Sequence, residues 1–160
     1  MIIVIMGVTG VGKTTVGQAL AKDLGWHFAD ADDYHSASNI AKMHAGIPLT
    51  DEDRAPWLQT LHEAIVAWLA AGENVALACS ALKAAYRGVL LISLEVKLVY
   101  LRGSLQLIAA RLASRRGHYM DPHLLRSQFE TLQEPANALI VAADLTPAEI
   151  VDKIRGALAL

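Results

Sequence analysis

The sequence lacks the features that mark several common classes of protein. Cys79 is the only cysteine in 160 residues, which excludes an intramolecular disulfide and leaves no paired-cysteine spacing for a metal. The uninterrupted apolar runs are far too short to cross a bilayer. We therefore expect a protein without a membrane partner.

Charge of one sign is also scarce. The net charge is −2 and the charged residues are dispersed, so no basic stripe favours nucleic acid and no acidic tail favours disorder. We expect a small-molecule substrate and no nucleic-acid partner. Met1 leads directly into the first predicted strand, which leaves no room for a signal or transit peptide and predicts a cytoplasmic location.

The apolar residues, 54% of the chain, indicate a buried core and one domain spanning residues 1–160. Short β-rich runs alternate with helical patterns, which is typical of an α/β fold with a mostly parallel sheet. The strands are predicted at residues 2–6, 27–29, 75–79, 96–101 and 139–142. With helices on both faces, this pattern predicts a five-stranded, three-layer sandwich.

Residues 7–14 read GVTGVGKT and carry the clearest chemical signal in the chain. They fit the pattern G-x-x-x-x-G-K-[ST] between an apolar strand and a helical segment. Such glycines let backbone N–H groups surround an anion, while Lys13 reaches the terminal phosphates and the Thr14 hydroxyl ligates Mg²⁺. The alternative, a glycine-rich turn that only connects strand to helix, is disfavoured by the two correct flanks.

Two further segments have a predicted role around this loop. Residues 33–71 form a helical excursion between the second and third strands, in which Thr50 caps a long helix with an apolar face. Residues 115–132 contain basic residues beside Gly117 and are predicted to form a mobile lid over phosphates.

Polar residues immediately after the predicted strands are candidates for chemistry, because ligands bind at the carboxyl ends of strands in open α/β sheets. Asp30 and Asp32 follow the second strand and, on an extended chain, point to the same side. One carboxylate can orient Mg²⁺ while the other accepts a proton from an attacking hydroxyl. As a bare pattern, such residues are more often solvated turn residues.

Other candidates have equally plain structural explanations. Arg54, Lys83 and Arg87 can bind an anionic substrate group, although a lone cation is ordinarily a surface charge. Trp57 can stack on a sugar-like ligand, but its helical position favours packing. His44 and His62 are interpreted as structural or surface residues, and Cys79 as a buried thiol.

Taken together, these segments resemble the gluconokinase family of small P-loop kinases, relatives of shikimate kinase and adenylate kinase. The resemblance rests on residues 6–14, 30–35, 42–58, 79–83, 86–87, 116–119 and 127–135, which include the strings CSALK, RGHY and SQFETLQEP. The sequence departs from the family pattern at residues 88–91, where an acidic residue and a later arginine are usual.

The resemblance implies transfer of the ATP γ-phosphate to the 6-hydroxyl of D-gluconate by a homodimer. ATP would be bound by Gly7, Thr9, Gly10, Val11, Gly12, Lys13, Thr14 and Thr15, with Arg111 against adenine and Arg115 or the catalytic Arg116 over the phosphates. Mg²⁺ would be held by Thr14 and Asp30, with Asp32 as candidate base. Gluconate would be held by Asp32, His35, Arg54, Lys83, Arg87 and His118.

Two alternatives remain open from the sequence. The first alternative is a kinase for another small acceptor, such as shikimate or a nucleoside monophosphate. The second is a regulatory module that binds ATP without transferring phosphate. The segments at residues 79–83 and 116–118 disfavour the first alternative, and the Asp30 and Asp32 pair disfavours the second.

Overall fold

The computed structural model describes residues 1–114 and 122–160. The strands are Ile2–Met6 (β1), His27–Asp30 (β2), Val75–Ala78 (β3), Val96–Arg102 (β4) and Leu139–Ala142 (β5). The helices are Lys13–Leu24 (α1), Ala37–His44 (α2), Asp51–Ala70 (α3), Ala84–Leu90 (α4), Leu105–Ser114 (α5), Pro122–Thr131 (α6) and Pro147–Leu158 (α7), with a 3₁₀ turn at Ala31–Tyr34. Each predicted strand is confirmed to within one residue at either end.

The five strands form one sheet in the order β2-β3-β1-β4-β5. All four neighbouring pairs are parallel, and β1 aligns Ile2 with Val75 of β3 and with Val96 of β4. The chain therefore leaves β1 for one side of the sheet and later continues on the other. This change of direction places a crevice at the carboxyl end of β1, where residues 7–14 begin.

Successive side chains of a strand point to opposite faces, and on β1 the side chains of both faces are buried. Ile3 and Ile5 belong to an apolar cluster that includes residues of α1, α5 and α7. Ile2, Val4 and Met6 belong to a second cluster that includes residues of α3 and α4. The predicted three layers are confirmed, with the sheet between the two sets of helices.

The long helix of the excursion, α3, begins directly after its predicted capping residue, Thr50. The Thr50 side chain accepts from the Asp53 N–H while the Asp53 carboxylate accepts from the Thr50 N–H, which is a complete capping box at the start of α3. The helical spacing of Leu58, Leu61 and Ile65 turns these residues toward the sheet, where each is buried. Within residues 1–114 and 122–160, no helix combines the length and apolar character needed to cross a bilayer.

Removing one buried side chain of α3 tests this packing. Leu61 is fully buried, so Leu61→Ala removes methyl groups and leaves a cavity that should lower the free energy of unfolding by about 3 kcal/mol. Val66, on the same helix, is 46% exposed, and Val66→Ala should cost less than about 1 kcal/mol. Urea denaturation followed by circular dichroism measures both. Equal losses for the two variants would contradict the packing described.

Candidate active site

A cleft of about 460 Å³ lies at the carboxyl end of the sheet, a size suited to a small ligand. Its walls come from the phosphate loop (residues 7–14), the turn after β2, the segment from the end of α2 to the start of α3, the end of β3 with the loop after it, and one side of α6. The predicted site residues that line it are Thr9, Gly10, Gly12, Lys13, Thr14, Thr15, Asp30, Asp32, His35 and Arg54. The fold thus brings together residues from positions 9 to 54.

The backbone of the phosphate loop requires glycine at two points that line the cleft. Gly12 has φ +107° and no atom within 4 Å of the place where a Cβ would stand, so the loop is open toward a ligand there. Gly10 has φ +84°, and a Cβ would stand 2.9 Å from Cδ2 of Leu112 on α5. Gly7 and Val11 lie outside the cleft lining, and Val11 is buried in the core.

Lys13 is held by the loop to which it belongs. Its Nζ donates to the carbonyl oxygens of Gly7 at 3.0 Å and Val8 at 3.1 Å. Desolvation lowers the pKa of this ammonium, while the nearby carboxylates of Asp32 and Asp30 oppose the shift. In the part of the chain that the structure describes, Lys13 forms no ion pair.

Thr14 and Asp30 form the pair of oxygen groups expected at a magnesium site. The Thr14 hydroxyl donates to Oδ2 of Asp30 at 2.9 Å, joining α1 to the end of β2. The described residues contain no cluster of three or more histidine, cysteine or acidic side chains that could hold a metal. One carboxylate and one hydroxyl fit Mg²⁺, which commonly keeps water and substrate phosphates as its other ligands.

Asp32 lines the cleft, but its backbone conformation differs from the predicted one. The expectation of an extended chain through Asp30 and Asp32 is wrong, because β2 ends at Asp30 and a 3₁₀ turn follows. Oδ1 of Asp30 accepts from the Asp32 N–H at 3.1 Å, a local bond that favours a turn over further strand. Although the residue is exposed overall, desolvation raises the pKa of the Asp32 carboxyl, and the Asp30 carboxylate adds to this.

The part of the cleft formed by the turn after β2 and the start of α3 contains an aromatic stack. The rings of His35 and Trp57 are parallel to within 10°, with centroids 4.4 Å apart. Trp57 is buried, and its Nε1 donates to the Ala31 carbonyl oxygen at 2.7 Å. The packing interpretation of Trp57 therefore holds, and the residue also lines the cleft. Arg54 also lines the cleft, and its Nη1 donates to the Leu49 carbonyl oxygen.

Gln128 on α6 is a site residue that the sequence did not single out. Its Oε1 accepts from the Thr9 N–H and its Nε2 donates to the Thr9 hydroxyl, both at 2.7 Å. This two-point contact joins α6 to the phosphate loop across 119 residues of sequence. Gln128 stands in the string SQFETLQEP, but a single sequence gives no sign of which member of that string reaches the loop.

Two cations predicted to hold the substrate are placed outside the cleft lining. Lys83 pairs with Asp51 at 2.9 Å, and Tyr86 donates to the same carboxylate. Arg87 is 7% exposed, and its Nη1 donates to the carbonyl oxygens of Ala81 and Leu82 at 2.9 and 3.1 Å. Ala81 has a left-handed backbone, with φ +45°, so Arg87 supports an unfavourable turn. These placements do not support gluconate contacts for either residue.

The remaining predicted residues lie near the loop or outside the described range. Arg111 on α5 donates from Nη1 to the Val11 carbonyl oxygen at 3.4 Å and from Nη2 to the Ala143 carbonyl oxygen, so it joins the phosphate loop to the residue that follows β5. Arg115, Arg116 and His118 lie outside the described residues.

Cys79 is buried as expected, and desolvation raises the pKa of its thiol to about 12. His62 contacts the Val89 carbonyl oxygen at 2.9 Å, which confirms a structural position.

The sheet order, the loop after β1 and the paired Thr14 and Asp30 define the class of protein as a P-loop kinase. Comparison with known sequences is more specific. The shikimate kinase family matches residues 9–159. A probable gluconokinase from Xenopus tropicalis is 46% identical over 175 residues, covering 98% of this chain and 92% of the relative. A gluconokinase from Arabidopsis thaliana is 44% identical, covering 96% of this chain and 89% of its own.

A solved structure supports the same conclusion. The crystal structure of a gluconokinase from Sinorhizobium meliloti 1021 is 42% identical, has a TM-score of 0.87, and is matched over 98% of this chain and 90% of its own. The chain belongs to the gluconokinase family of P-loop kinases, as the sequence resemblance predicted.

Replacing Gln128 tests whether its contact with Thr9 holds α6 in place. Gln128→Met keeps the length of the side chain and removes both hydrogen bonds, so amide exchange across residues 122–131 should become on the order of tenfold faster. Hydrogen–deuterium exchange with mass spectrometry measures this. Gln59→Met, which removes an exposed bond to Glu63 within α3, is the control and should leave α6 unchanged. An unaltered exchange rate in Gln128→Met would show that other contacts hold the helix.

Proposed function

We propose that this protein is an ATP-dependent gluconokinase that transfers the γ-phosphate to the 6-hydroxyl of D-gluconate, giving 6-phospho-D-gluconate. The observation that carries the proposal is the meeting of Lys13, the Thr14 and Asp30 pair, and Asp32 in one cleft. The identity to gluconokinases over nearly the whole chain supports gluconate as the acceptor.

Phosphoryl transfer needs positioning and neutralisation of charge more than covalent help from the protein. The N–H groups of the phosphate loop and the start of α1 bind the β- and γ-phosphates, and Lys13 exchanges its two carbonyl partners for phosphate oxygens. Thr14 and Asp30 would hold Mg²⁺, which supplies positive charge to the phosphates when bound. No side chain has to form a covalent intermediate.

Asp32 is the proposed base, because its carboxylate lies beside the phosphate loop and can accept the proton of the attacking hydroxyl. A raised pKa makes a carboxylate a better proton acceptor at neutral pH. Arg54 is the described cation of the cleft, apart from Lys13, and is proposed to bind the carboxylate of the sugar acid. His35 completes the acceptor side.

The proposal extends to the lid and the assembly. Residues 115–132, with Arg115, Arg116 and His118, would close over the phosphates and exclude water as a competing acceptor. Arg111 would lie on the adenine side, and the excursion at residues 33–71 would receive gluconate. A cytoplasmic location and, on the strength of the family resemblance, a homodimer complete the proposal. Light scattering measures the oligomeric state.

An acceptor panel tests the proposed substrate. With ATP and Mg²⁺, D-gluconate should give 6-phosphogluconate with a kcat/KM at least about a hundredfold above that for shikimate, AMP or aldonates that lack the same chain length. Direct detection of the phosphorylated product separates transfer from ATP hydrolysis. Preferred turnover of another acceptor, or ATP binding with no product at all, would overturn the proposal.

Lys13→Met tests the role given to the phosphate loop. Among the described residues that line the cleft, Lys13 alone carries an ammonium group, and the change removes it while keeping the length of the side chain, so kcat should fall by about a thousandfold or more. The fold should survive, which circular dichroism checks. Lys97→Met, a change on β4 away from the cleft, serves as the control and should retain activity. A Lys13→Met enzyme with near-normal turnover would refute the arrangement.

A further inference from the structure

The ring of His35 is fixed on two sides within the acceptor part of the cleft. One face stacks on Trp57, whose own orientation is set by the bond from Nε1 to the Ala31 carbonyl oxygen. The Nδ1 edge faces Asn39, one helical turn further along, at 3.3 Å from Nδ2. Among the residues that the structure describes, no group is bonded to Nε2 of His35, and the residue lines the cleft.

Asn39 is one of two buried polar or charged residues in the described chain, at 4% exposure. Its Nδ2 donates to the Asp53 carbonyl oxygen at 2.8 Å, which only the NH₂ end of an amide can do. That bond settles which end of the amide is the nitrogen. Since the same nitrogen faces Nδ1 of His35 and cannot accept, Nδ1 must be the acceptor. A neutral imidazole that accepts at Nδ1 carries its proton on Nε2.

We propose that Asn39 is a positioning residue that holds His35 as the Nε2–H tautomer, so that His35 donates a hydrogen bond to an oxygen of the bound sugar acid. The identity of that acceptor rests on the proposed function, whereas the tautomer rests only on the contacts described. His35 then cannot serve as the base through Nε2, which leaves proton acceptance to Asp32.

The charges around His35 agree with a neutral ring. Desolvation lowers the pKa of His35, and Arg54 of α3 lowers it further, while Asp32 of the 3₁₀ turn opposes both. The carboxylate of Asp53, whose backbone binds Asn39, is engaged by Lys42 at 2.7 Å. Asn39 therefore links the tautomer of His35 to the capped start of α3.

Long-range ¹H–¹⁵N spectra of the full-length protein report the tautomer directly. The His35 signals are assigned by their loss in His35→Phe, which keeps an aromatic ring for the stack on Trp57. In the native protein Nδ1 should be unprotonated and Nε2 protonated. In Asn39→Asp the new carboxylate can only accept, so Nδ1 should become protonated. Asn137→Asp, at an exposed position, adds the same charge elsewhere and should change nothing.

Kinetics then show whether the tautomer matters to the acceptor. Asn39→Asp should raise KM for gluconate and lower kcat/KM by about tenfold, the effect of losing one hydrogen bond to substrate. KM for ATP should be unchanged. In a His35→Phe background the same change should have no further effect, because Asn39 acts through His35. If Asn39→Asp does not fold, Asn39→Ala frees Nδ1 without adding charge and is compared in the same two backgrounds.

The outcomes separate this inference from the proposed function. A native His35 protonated on Nδ1, or an Asn39 variant that loses as much activity without His35 as with it, would overturn the inference. An enzyme with the Nε2–H tautomer that prefers a different acceptor would overturn the proposed substrate and uphold the role of Asn39, since the double-mutant comparison is then made with that acceptor.

Discussion

Burial of β1 on every side is the constraint on which the site depends. Parallel neighbours occupy both of its edges, and an apolar cluster covers each of its faces. A strand held in this way cannot tilt or slide, so the loop that leaves its carboxyl end starts from a fixed point. Gly7 then passes so close to the carbonyl oxygen of Leu101 that a Cβ would lie 2.9 Å from it. The phosphate loop is positioned by the core rather than by its own few hydrogen bonds.

Two of the other walls of the cleft are attached to this loop by side-chain hydrogen bonds. Thr14 binds Asp30 and so fixes the end of β2, and Gln128 binds Thr9 and so fixes α6. Beyond α6, the Gln133 N–H donates to the Leu82 carbonyl oxygen at 2.9 Å, which holds the far end of that helix to the loop after β3. Leu125 of the same helix is buried in the first apolar cluster, so α6 is held by packing as well as by these polar contacts.

Most of the fold was predictable because local patterns and tertiary packing agree. The apolar run of β1, the alternation of strands with helices and the capping residue Thr50 each indicate one structure, and the structure follows them. Asp30 and Asp32 show where the local pattern no longer predicts the structure. The Asp30 carboxylate accepts from the backbone N–H of Asp32, and this bond turns the chain out of the strand. Arg87 is a second example. Sequence shows a cation near a candidate site, but only the fold shows that this cation is buried outside the cleft lining.

The charge balance of the cleft follows from these placements. Lys13 and Arg54 are the cations of its described lining, and Asp30 and Asp32 are the anions. Bringing a nucleotide triphosphate and a sugar acid into this space adds several negative charges, and Lys13 offsets only one of them. The described walls alone therefore leave much of this negative charge uncompensated. This imbalance is the physical reason for proposing magnesium at Thr14 and Asp30 and a phosphate-binding role for Arg115 and Arg116.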